Sequence, residues 1–513
     1  MTFNAAYFLD ASTRRDPEAI ALIHDGRRYS YRRLHDMANR VANGLTAAGF
    51  GRGSRIALCC YNRPGFYAAY FGAMKIGACL ITMDPFSKYR DFVNLLNDCE
   101  AEALFCFDGF PDRNVAAIAL DALAEVESCR RTWIIPADPF APSTVPGVPA
   151  LGDLMRDAGG RFETRAMGPD EPAVVFYTSG TTGKRKGVMA SQANLCQMAM
   201  ITMPLAPAED CRRRLIAQSL ECAIGQMYSV ITTAFCGHTA ILLEDEDPDY
   251  IWRELIRERA NYVTGMPYFF KQLIDHSAGL DDAEVRKSLR LCPTGGTHLP
   301  KDWSDMFEER FGARILPGYG ASEVTTAISW TCPKEPYKPG SSGRPIPGID
   351  VRILDPDMQP VRAGEQGQIV VRSPGLMLGY LGMPAATEAV IHEGCYLTRD
   401  LGSFDDEGCL VVHGRMDEKI IRGIDHIDPA EVELLLLEHP CVAQAAVVAI
   451  PHPDLGQEAK AFVVLEDERA ARADDLLSWL ADELPDEKGP GLLELVSSLP
   501  LTRTGKIARH LLT

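Results

Sequence analysis

Short apolar strands that alternate with helices are the feature that most constrains the fold of this chain. Strands are predicted at residues 55–60 and 78–83, with a helix of small and aromatic residues between them at 65–77. The alternation resumes at Ala173 and continues to residues 289–292. Strands connected in this way pair in parallel and are covered by helices. The sequence therefore predicts an α/β protein built on covered, mostly parallel sheets.

The pattern changes in the last third of the chain. Residues 339–371 hold many glycines and prolines between two short predicted strands, which indicates a β-rich subdomain. Beyond a charged tract lies a compact unit, with predicted helices at 429–437 and 473–483 and predicted strands at 442–450 and 459–464. We therefore predict a large N-terminal domain at 1–414 with its β-rich subdomain at about 339–414, a hinge at 415–419, and a small α+β C-terminal domain at 420–513.

Composition excludes several classes of protein. The formal net charge of −18 argues against a general nucleic-acid binder. No basic and apolar leader is evident at the start, and no apolar run approaches the ~20 residues that span a bilayer. The 15 cysteines and 11 histidines show no zinc-like spacing, and the acidic run at 244–249 is interpreted as a solvated loop. These features predict a cytoplasmic enzyme with reduced thiols and no membrane span.

A loop rich in glycine, hydroxyl groups and lysine follows the apolar run at residues 173–176. Its sequence at 177–187 is Tyr-Thr-Ser-Gly-Thr-Thr-Gly-Lys-Arg-Lys-Gly. Glycines let successive backbone N–H groups turn toward an anion, and hydroxyl and ammonium groups add donors. The spacing of the common nucleotide P-loop is absent. The loop suits a polyphosphate, and the alternative is a solvated glycine-rich turn.

Three later motifs are weak when taken singly. Residues 319–323, Tyr-Gly-Ala-Ser-Glu, follow a predicted strand at 313–316 and a Pro-Gly turn; they could stack a base and hold Mg²⁺, or simply bury a tyrosine. Residues 398–402, Thr-Arg-Asp-Leu-Gly, with Arg415 would by default form a surface ion pair. The C-terminal run at 499–506 places Lys506 on a glycine turn, where a lysine is ordinarily solvated.

Together, in this order, these motifs resemble the adenylate-forming superfamily of acyl-CoA synthetases, luciferases and peptide-synthetase adenylation domains, and most closely an acyl-CoA ligase. The resemblance covers essentially the full chain and includes linking segments such as 338–345 and Gly379-Tyr380. It implies that a carboxylic acid and Mg·ATP give an acyl-adenylate, from which the thiol of CoA displaces AMP. It also implies that the small C-terminal domain is mobile and rotates about Asp417 between the two steps.

The resemblance assigns roles residue by residue. Lys506, Glu323 and Ser322 are the implied catalytic residues, and Glu323 is also the metal ligand. The implied ATP-binding residues are Thr178, Ser179, Gly180, Thr181, Thr182, Lys186, Gly296, Thr297, Tyr319, Gly320, Asp400 and Arg415. The implied acyl-site residues are Glu221, Cys222, Ala223, Gly225, Gly295, Gly318 and Ala321, and the implied hinge and CoA residues are Asp417, Gly423 and Ile424.

Several residues depart from the family pattern. On the adenylation side, Arg185 replaces a proline, Ser322 a threonine and Arg399 a glycine. On the acyl and thiol side, Glu221 and Cys222 stand where an aromatic pair is usual, and Ile424 stands where CoA-using members commonly have glycine. The missing aromatic gate and the small residues predict a roomy pocket for a bulky or branched acid. Cys222 has no histidine base in a motif, so we do not predict it to be a nucleophile.

Two alternatives to a complete acid–thiol ligase stay open. One is a half-reaction enzyme, which either adenylates an acid and passes it to a carrier protein or partner enzyme, or thioesterifies a supplied adenylate. The other is a catalytically silent nucleotide-binding scaffold. The sequence leaves the acid, the acceptor thiol and the oligomeric state undetermined.

Overall fold

A computed structural model describes residues 2–178, 185–202, 211–296, 299–335, 338–416, 420–422, 425–452, 455–467, 471–484, 488–502 and 506–512. The helices are α1 (Ala6–Arg15), α2 (Tyr31–Ala47), α3 (Pro64–Lys75), α4 (Tyr89–Asp98), α5 (Val115–Ala122), α6 (Leu151–Arg156), α7 (Gln192–Thr202), α8 (Thr232–Cys236), α9 (Pro248–Arg257), α10 (Pro267–Asp275), α11 (Asp282–Ser288), α12 (Lys301–Phe311), α13 (Pro384–Glu388), α14 (Pro429–Glu438) and α15 (Ala473–Glu483).

The strands of the two large sheets and of the β-rich subdomain are β1 (Ile20–His24), β2 (Arg27–Ser30), β3 (Arg55–Cys59), β4 (Cys79–Thr82), β5 (Ala103–Phe107), β6 (Arg131–Ile135), β7 (Pro172–Thr178), β8 (Lys186–Ser191), β9 (Arg213–Ile216), β10 (Thr239–Leu242), β11 (Tyr262–Val263), β12 (Leu291–Gly295), β13 (Arg314–Ala321), β14 (Thr326–Trp330), β15 (Arg344–Pro345), β16 (Asp350–Leu354), β17 (Gly367–Arg372), β18 (Gly379–Tyr380), β19 (Ile391–His392), β20 (Cys395–Phe404) and β21 (Leu410–Arg415). The remaining strands are β22 (Ile420–Arg422), β23 (Asp425–Ile427), β24 (Val442–His452), β25 (Gly456–Leu465) and β26 (Leu492–Leu495).

A seven-stranded sheet runs in the order β18-β8-β7-β4-β3-β5-β6. Strands β3 to β7 pair in parallel, whereas β8 and β18 add antiparallel neighbours at one edge. Every residue of α3 is buried, as expected for a helix of small and aromatic residues enclosed between other elements. The close approach of α2 and α3 needs Gly72, because a Cβ there would lie 2.5 Å from Val41. The predicted alternation and covered sheet are confirmed.

A nine-stranded sheet runs in the order β15-β14-β13-β12-β11-β9-β10-β1-β2. Its central strands are parallel and its two ends are antiparallel. The antiparallel end formed by β13 and β14 contributes to the candidate site. Apolar side chains under its helices form a core cluster of their own, which includes Trp252, Phe307 and Phe311.

The β-rich part contains one antiparallel sheet, β16-β17-β20-β19, with β21 also paired to β20. The C-terminal part has a separate sheet, β23-β22-β25-β24 with β26 beside β25, packed against α14 and α15 around Val432, Leu436 and Leu480. This arrangement confirms the predicted large α/β part and small α+β part. The hinge at 415–419 stays a prediction, because 417–419 lie outside the described residues.

One local prediction was wrong and another was only partly right. The Pro-Gly pair at 317–318 makes no turn, because β13 continues through it and pairs with β12 and β14 as far as Ala321. In the acidic run at 244–249, residues 245–247 are exposed as predicted, whereas Glu244 is half-buried and pairs with His24 at 2.6 Å and with Arg63 at 2.8 Å. Across the ranges that the structure describes, no helix has the length and apolar character needed to cross a bilayer.

Candidate active site

Two neighbouring strands of the seven-stranded sheet and the 3-10 turn after β13 bring Lys186, Tyr380 and Glu323 together. Lys186 begins β8, and its ammonium lies 5.0 Å from the centre of the Tyr380 ring. The Tyr380 hydroxyl donates to Glu323 Oε1 at 2.8 Å, and the Glu323 carbonyl accepts from the Met377 N–H at 2.8 Å. Because β18 pairs with β8, Tyr380 reaches the lysine and the carboxylate at the same time. The predicted phosphate lysine and the predicted metal ligand are therefore neighbours.

A second polar cluster joins Tyr319, Asp400 and Arg415. The Tyr319 hydroxyl donates to the Asp400 carboxylate, and Arg415 Nε lies 3.7 Å from Asp400 Oδ1. Asp400 and Arg415 are register partners on β20 and β21, so the sheet itself places the two charges side by side. Burial and the Asp400 charge raise the pKa of Tyr319 well above its ordinary value. Tyr319 is thus a neutral donor that fixes the orientation of the carboxylate.

Tyr396 is buried between these two clusters. Burial raises its pKa, as do the charges and hydroxyls of Glu323, Tyr380, Tyr319 and Asp400. No sequence motif predicted a role for Tyr396, and Tyr380 was predicted only as part of a linking segment. The signal available for Tyr380 was its position after Gly379, whose φ of +140° and close approach to Thr387 admit no larger residue.

Three residues of this site have strained backbone. Arg399, beside Asp400, has a φ of +62°, in the left-handed region that favours glycine. Ser322 starts a single 3-10 turn with Glu323 and Val324, and Thr325 and Thr326 follow with φ values of +58° and +130°. Strained backbone of this kind clusters at functional sites. The site therefore holds its residues in conformations that local preference disfavours.

Lys506, on the C-terminal part of the chain, reaches the large α/β part. Its Cε lies 3.6 Å from the position that a Cβ would occupy at Gly296, which has a φ of +90°. The Lys506 N–H donates to the Thr502 hydroxyl at 3.1 Å. Nearby, Arg509 contacts Glu433 Oε2 at 2.8 Å and donates to the Val447 carbonyl at 2.8 Å, which attaches this end of the chain to α14 and β24. Lys506, predicted to be catalytic, therefore lies beside Gly296, predicted to bind ATP.

Hydrogen bonds to the Glu221 backbone carbonyl hold the segment that contains Glu221 and Cys222. The hydroxyl of Thr82, at the end of β4, donates to the Glu221 carbonyl at 2.6 Å, and Gln226 donates to the same carbonyl at 2.9 Å. The Ser219 hydroxyl donates to the Glu221 carboxylate. The Cys222 thiol is accessible yet crowded, and desolvation together with the Glu221 charge raises its pKa to about 12. A thiol with that pKa is protonated at neutral pH, which agrees with the prediction that it is no nucleophile.

The predicted acyl-site glycines Gly225, Gly295 and Gly318 pack against backbone, as does Gly320, which is predicted to bind ATP. A Cβ at Gly225 would lie 2.4 Å from the Ser219 carbonyl oxygen, and one at Gly320 would lie 2.1 Å from the Thr326 carbonyl oxygen. At Gly295 it would lie 2.9 Å from the Gly318 carbonyl oxygen, and at Gly318 it would lie 3.0 Å from that of Ser329. Close backbone packing thus explains their size, and Ala223 is buried beside them. That the three acyl-site glycines and the half-buried Ala321 border an acyl pocket stays a prediction.

The remaining predicted site residues lie at the edge of the described chain or outside it. Thr178 ends β7 and is the register partner of Lys186. The predicted residues outside the described ranges are Ser179, Gly180, Thr181, Thr182, Thr297, Asp417, Gly423 and Ile424. In the part of the chain that the structure describes, no three His, Cys, Asp or Glu side chains form a metal-binding group. Glu323 is instead a single carboxylate among donors, a setting that suits Mg²⁺ held mainly by phosphate oxygens and water.

Comparison with known proteins places this geometry in context. The family model described as AMP-binding enzyme matches residues 9–381, and that of the AMP-binding enzyme C-terminal domain matches residues 431–506. A feruloyl-CoA synthase from Amycolatopsis sp is 31% identical over 504 residues, covering 97% of this chain and 96% of that protein. An indoleacetate–CoA ligase from Aromatoleum aromaticum is 31% identical over 513 residues, covering 98% and 96%.

Solved structures agree with these relatives. ATP-bound MatB from Rhodopseudomonas palustris superposes with a TM-score of 0.88 at 26% identity, covering 99% of this chain and 98% of that one. A benzoate CoA ligase from Burkholderia xenovorans superposes with a TM-score of 0.85 at 26% identity, covering 99% of both chains.

Proposed function

Because the chain belongs to the family of AMP-binding enzymes, we propose that it is an AMP-forming acyl-CoA synthetase that activates a carboxylic acid with ATP and transfers the acyl group to CoA. In the first step the carboxylate oxygen attacks the α-phosphorus of ATP, and pyrophosphate leaves. In the second step the CoA sulfur attacks the acyl carbonyl, its proton is lost to solvent, and AMP leaves. The chain is similar over nearly its full length to CoA ligases, which supports both steps.

The approach of Lys506 to Gly296 carries the proposal. Adenylation gathers negative charge from the carboxylate and the triphosphate around one phosphorus atom, so a cation must be held where that charge develops. The Lys506 side chain enters the large part of the molecule at the glycine predicted to border the nucleotide, with its Cε 3.6 Å from the Gly296 Cβ position. We assign to Lys506 the bridging of carboxylate and α-phosphate oxygens.

The two polar clusters divide the nucleotide between them. Asp400 accepts from the ribose hydroxyls, Arg415 donates beside it, and Tyr319 stacks on adenine while its hydroxyl orients Asp400. Lys186 holds phosphate oxygens next to Glu323, the ligand for Mg²⁺. Tyr380 is a positioning residue, because its hydroxyl fixes the Glu323 carboxylate at 2.8 Å. When bound, Mg²⁺ neutralises phosphate charge and orients the leaving pyrophosphate.

The acid is proposed to be bulky and aromatic. Relatives named for feruloyl-CoA, indoleacetate and hydroxybenzoate support this class. Glu221 and Cys222 replace the aromatic gate of the family pattern, and Thr82 and Gln226 hold them back from the acyl side. A wide entrance of this kind admits a ring. CoA is the proposed acceptor, with a carrier protein as the alternative acceptor.

Product analysis tests the proposal directly. The purified chain is incubated with Mg·ATP and a panel of aryl and arylalkyl acids, with and without CoA, while pyrophosphate, AMP and the thioester mass are followed. We expect pyrophosphate and AMP to form only when the acid is present, and a thioester to form only when CoA is also present. EDTA should abolish the formation of these products, and added Mg²⁺ should restore it. ADP in place of AMP, or no acid-dependent pyrophosphate, would contradict the proposal. Pyrophosphate release without any thioester would support adenylation but would exclude CoA as the acceptor.

A further inference from the structure

We propose that the hydroxyls of Tyr228 and Thr326 form a polar end to the acyl pocket, which selects an aryl or arylalkyl acid with a hydrogen-bonding oxygen remote from its carboxylate. This inference rests on the proposed function and names its substrate class. It begins from three buried polar atoms, Tyr228 Oη, Thr326 Oγ1 and Trp330 Nε1, which make no hydrogen bond of good geometry among the described residues. The Tyr228 and Thr326 hydroxyls lie close enough to interact with each other, and neither has another polar partner in the described part of the chain. Buried polar groups are nearly always paired, and an unpaired one is costly.

These three groups lie directly behind residues of the predicted acyl site. Thr326 is the register partner of Ala321, and Trp330 is that of Gly318. The Trp330 ring lies 3.2 Å from the Cβ position of Gly318, so only glycine leaves the ring uncovered there. Tyr228 is three residues beyond Gly225 and stacks on Trp330, with ring centres 6.0 Å apart and an angle of 30° between the planes. The orphan atoms are thus grouped on one side of the site.

The group is held in place by independent contacts. The Tyr228 carbonyl accepts from the buried Arg214 guanidinium at 2.8 Å, and its neighbour Gln226 donates to Thr82 Oγ1 at 2.8 Å. The π-helical segment Gly225–Ile231 carries both residues, and π-helical turns are frequently found at functional sites. Thr326 is β-branched yet has a φ of +130°, a strained conformation. A rigid pair of hydroxyls is pre-organised for a ligand.

The chemistry of the pair restricts what it recognises. Burial raises the pKa of Tyr228 to about 12, although the nearby Thr326 hydroxyl and the Arg214 charge oppose the rise. Both groups are therefore neutral at physiological pH, and each offers one proton and an acceptor oxygen. They match a phenolic hydroxyl or an ether oxygen, and the faces of Tyr228 and Trp330 provide aromatic surface for a ring. Two hydroxyls that pair with each other use only one of their two protons, so an acid without such an oxygen leaves the other proton unpaired when it fills the pocket.

Matched pairs of acids test this assignment. The probes are 4-hydroxybenzoate against benzoate, 4-hydroxycinnamate against cinnamate, and 4-hydroxyphenylacetate against phenylacetate, scored by kcat/KM for pyrophosphate release. We expect the wild-type chain to favour the hydroxylated acid by about tenfold or more in the pair that it turns over best. Tyr228→Phe and Thr326→Val should each reduce this ratio about tenfold, through loss on the hydroxylated acid. Thr326→Ser, which keeps the hydroxyl, should retain it.

Tyr70→Phe is the matched control, because Tyr70 also carries a buried, unpartnered hydroxyl but lies in α3, in the helix layer of the seven-stranded sheet. It should leave the ratio unchanged. Partial unfolding lowers kcat/KM for both acids alike, so the ratio is insensitive to it. If a variant does not fold, the two acids of a pair can be compared on the wild-type chain by the rise in melting temperature that each acid causes in the presence of ATP. Equal use of both acids, or a ratio unchanged in the variants, would overturn this inference alone, whereas absence of pyrophosphate with every acid would overturn the proposed function as well.

Discussion

Arg399 is one of the strained residues in the described site. An arginine at a φ of +62° costs about 1 kcal/mol relative to glycine, because its Cβ crowds the following carbonyl. We expect Arg399→Gly to raise the free energy of unfolding by about 1 kcal/mol, measured by urea titration. Arg372→Gly is the control with the opposite sign, because Arg372 ends β17 in ordinary extended conformation and should lose about 0.5–1 kcal/mol. If the two variants were equally destabilised, the backbone conformation of Arg399 would not be strained as proposed.

A buried ionic cluster far from the site makes a second residue-scale prediction. Lys75 is fully buried and donates to the Asp10 carboxylate, which also accepts from Thr164 at 2.6 Å and contacts His35 Nε2 at 3.0 Å. Asp10→Asn removes the charge that compensates a buried ammonium, so we expect a loss of about 3 kcal/mol in urea unfolding at neutral pH. In a double-mutant cycle, adding Lys75→Met to Asp10→Asn should recover part of that loss. Strictly additive losses would contradict a direct coupling.

The same cluster has a defined pH dependence. Burial acts to raise the pKa of Asp10, but hydrogen bonds from His35, Lys75 and Thr164 and the Lys75 charge outweigh it and lower the pKa from 3.8 to about 2. Since the folded-state pKa is depressed, this stabilisation is complete above about pH 4 and disappears as the pH falls toward 2. The stability difference between the wild-type chain and Asp10→Asn should therefore shrink through that window.

At the residue scale, the sequence predicted the residues proposed to bind the nucleotide better than the residues that orient them. Asp400 and Arg415, separated by a turn in the sequence, were predicted as partners and are register neighbours in one sheet. Tyr380 was not predicted to orient Glu323, because their contact depends on β18 joining β8 at the edge of a different sheet. Nonlocal pairing of this kind leaves no periodic signal in the chain.

At the element scale, Asn62 joins the two large sheets. It follows β3 of the seven-stranded sheet, is fully buried, and donates to the carbonyls of Ile216 at 3.2 Å and Leu243 at 2.9 Å, which end β9 and follow β10. Its amide also reaches the Gln218 carbonyl at 3.1 Å, on the segment that leads to Glu221. The Asn62 hydrogen bonds therefore fix both the packing of the two sheets and the segment that leads to Glu221.

Replacing the Asn62 amide tests whether it connects the two sheets. Asn62→Leu removes the amide donor from the Leu243 and Gln218 carbonyls, so we expect about 3 kcal/mol less stability in urea unfolding and a raised KM for the acid, with little change in the KM for ATP. Asn97→Leu is the control, because its amide caps an exposed carbonyl of Glu125 at 3.0 Å and should change stability by no more than about 0.5 kcal/mol. A uniform loss of acid and ATP affinity would show that the effect is general unfolding.

Element type was predictable wherever hydrophobic periodicity was strong. The helix predicted at 473–483 coincides with α15, and the strand predicted at 55–60 is β3 within one residue. The error at 317–318 has a physical reason. Proline lacks an N–H and glycine weakens a strand, so the pair predicts a turn, yet here β12 and β14 flank them and hold them in the sheet. Tertiary pairing overrides local preference at that point.

At the scale of the whole molecule, the two parts meet through Lys506. In this structure the Lys506 Cε lies 3.6 Å from the Gly296 Cβ position, which fits the adenylation role that we propose for this lysine. The incoming thiol of the second step needs access to the acyl carbonyl, and we propose that the small domain rotates to provide it. A chain that keeps its catalytic cation on a separate domain can present the cation for one step and withdraw it for the next.

Lys506→Ala should therefore separate the two half-reactions. We expect pyrophosphate release from acid and ATP to fall at least 100-fold, because the variant lacks the cation at the developing charge. Thioester formation from a synthetic acyl-adenylate and CoA should stay within about threefold of the wild-type rate, because that step requires no contact with Lys506. Lys488→Ala is the matched control on the same small domain, where the exposed lysine pairs with Glu431 at 3.0 Å, and both half-reactions should survive it. An equal loss in both half-reactions of Lys506→Ala would mean that the lysine supports the domain rather than the adenylation chemistry.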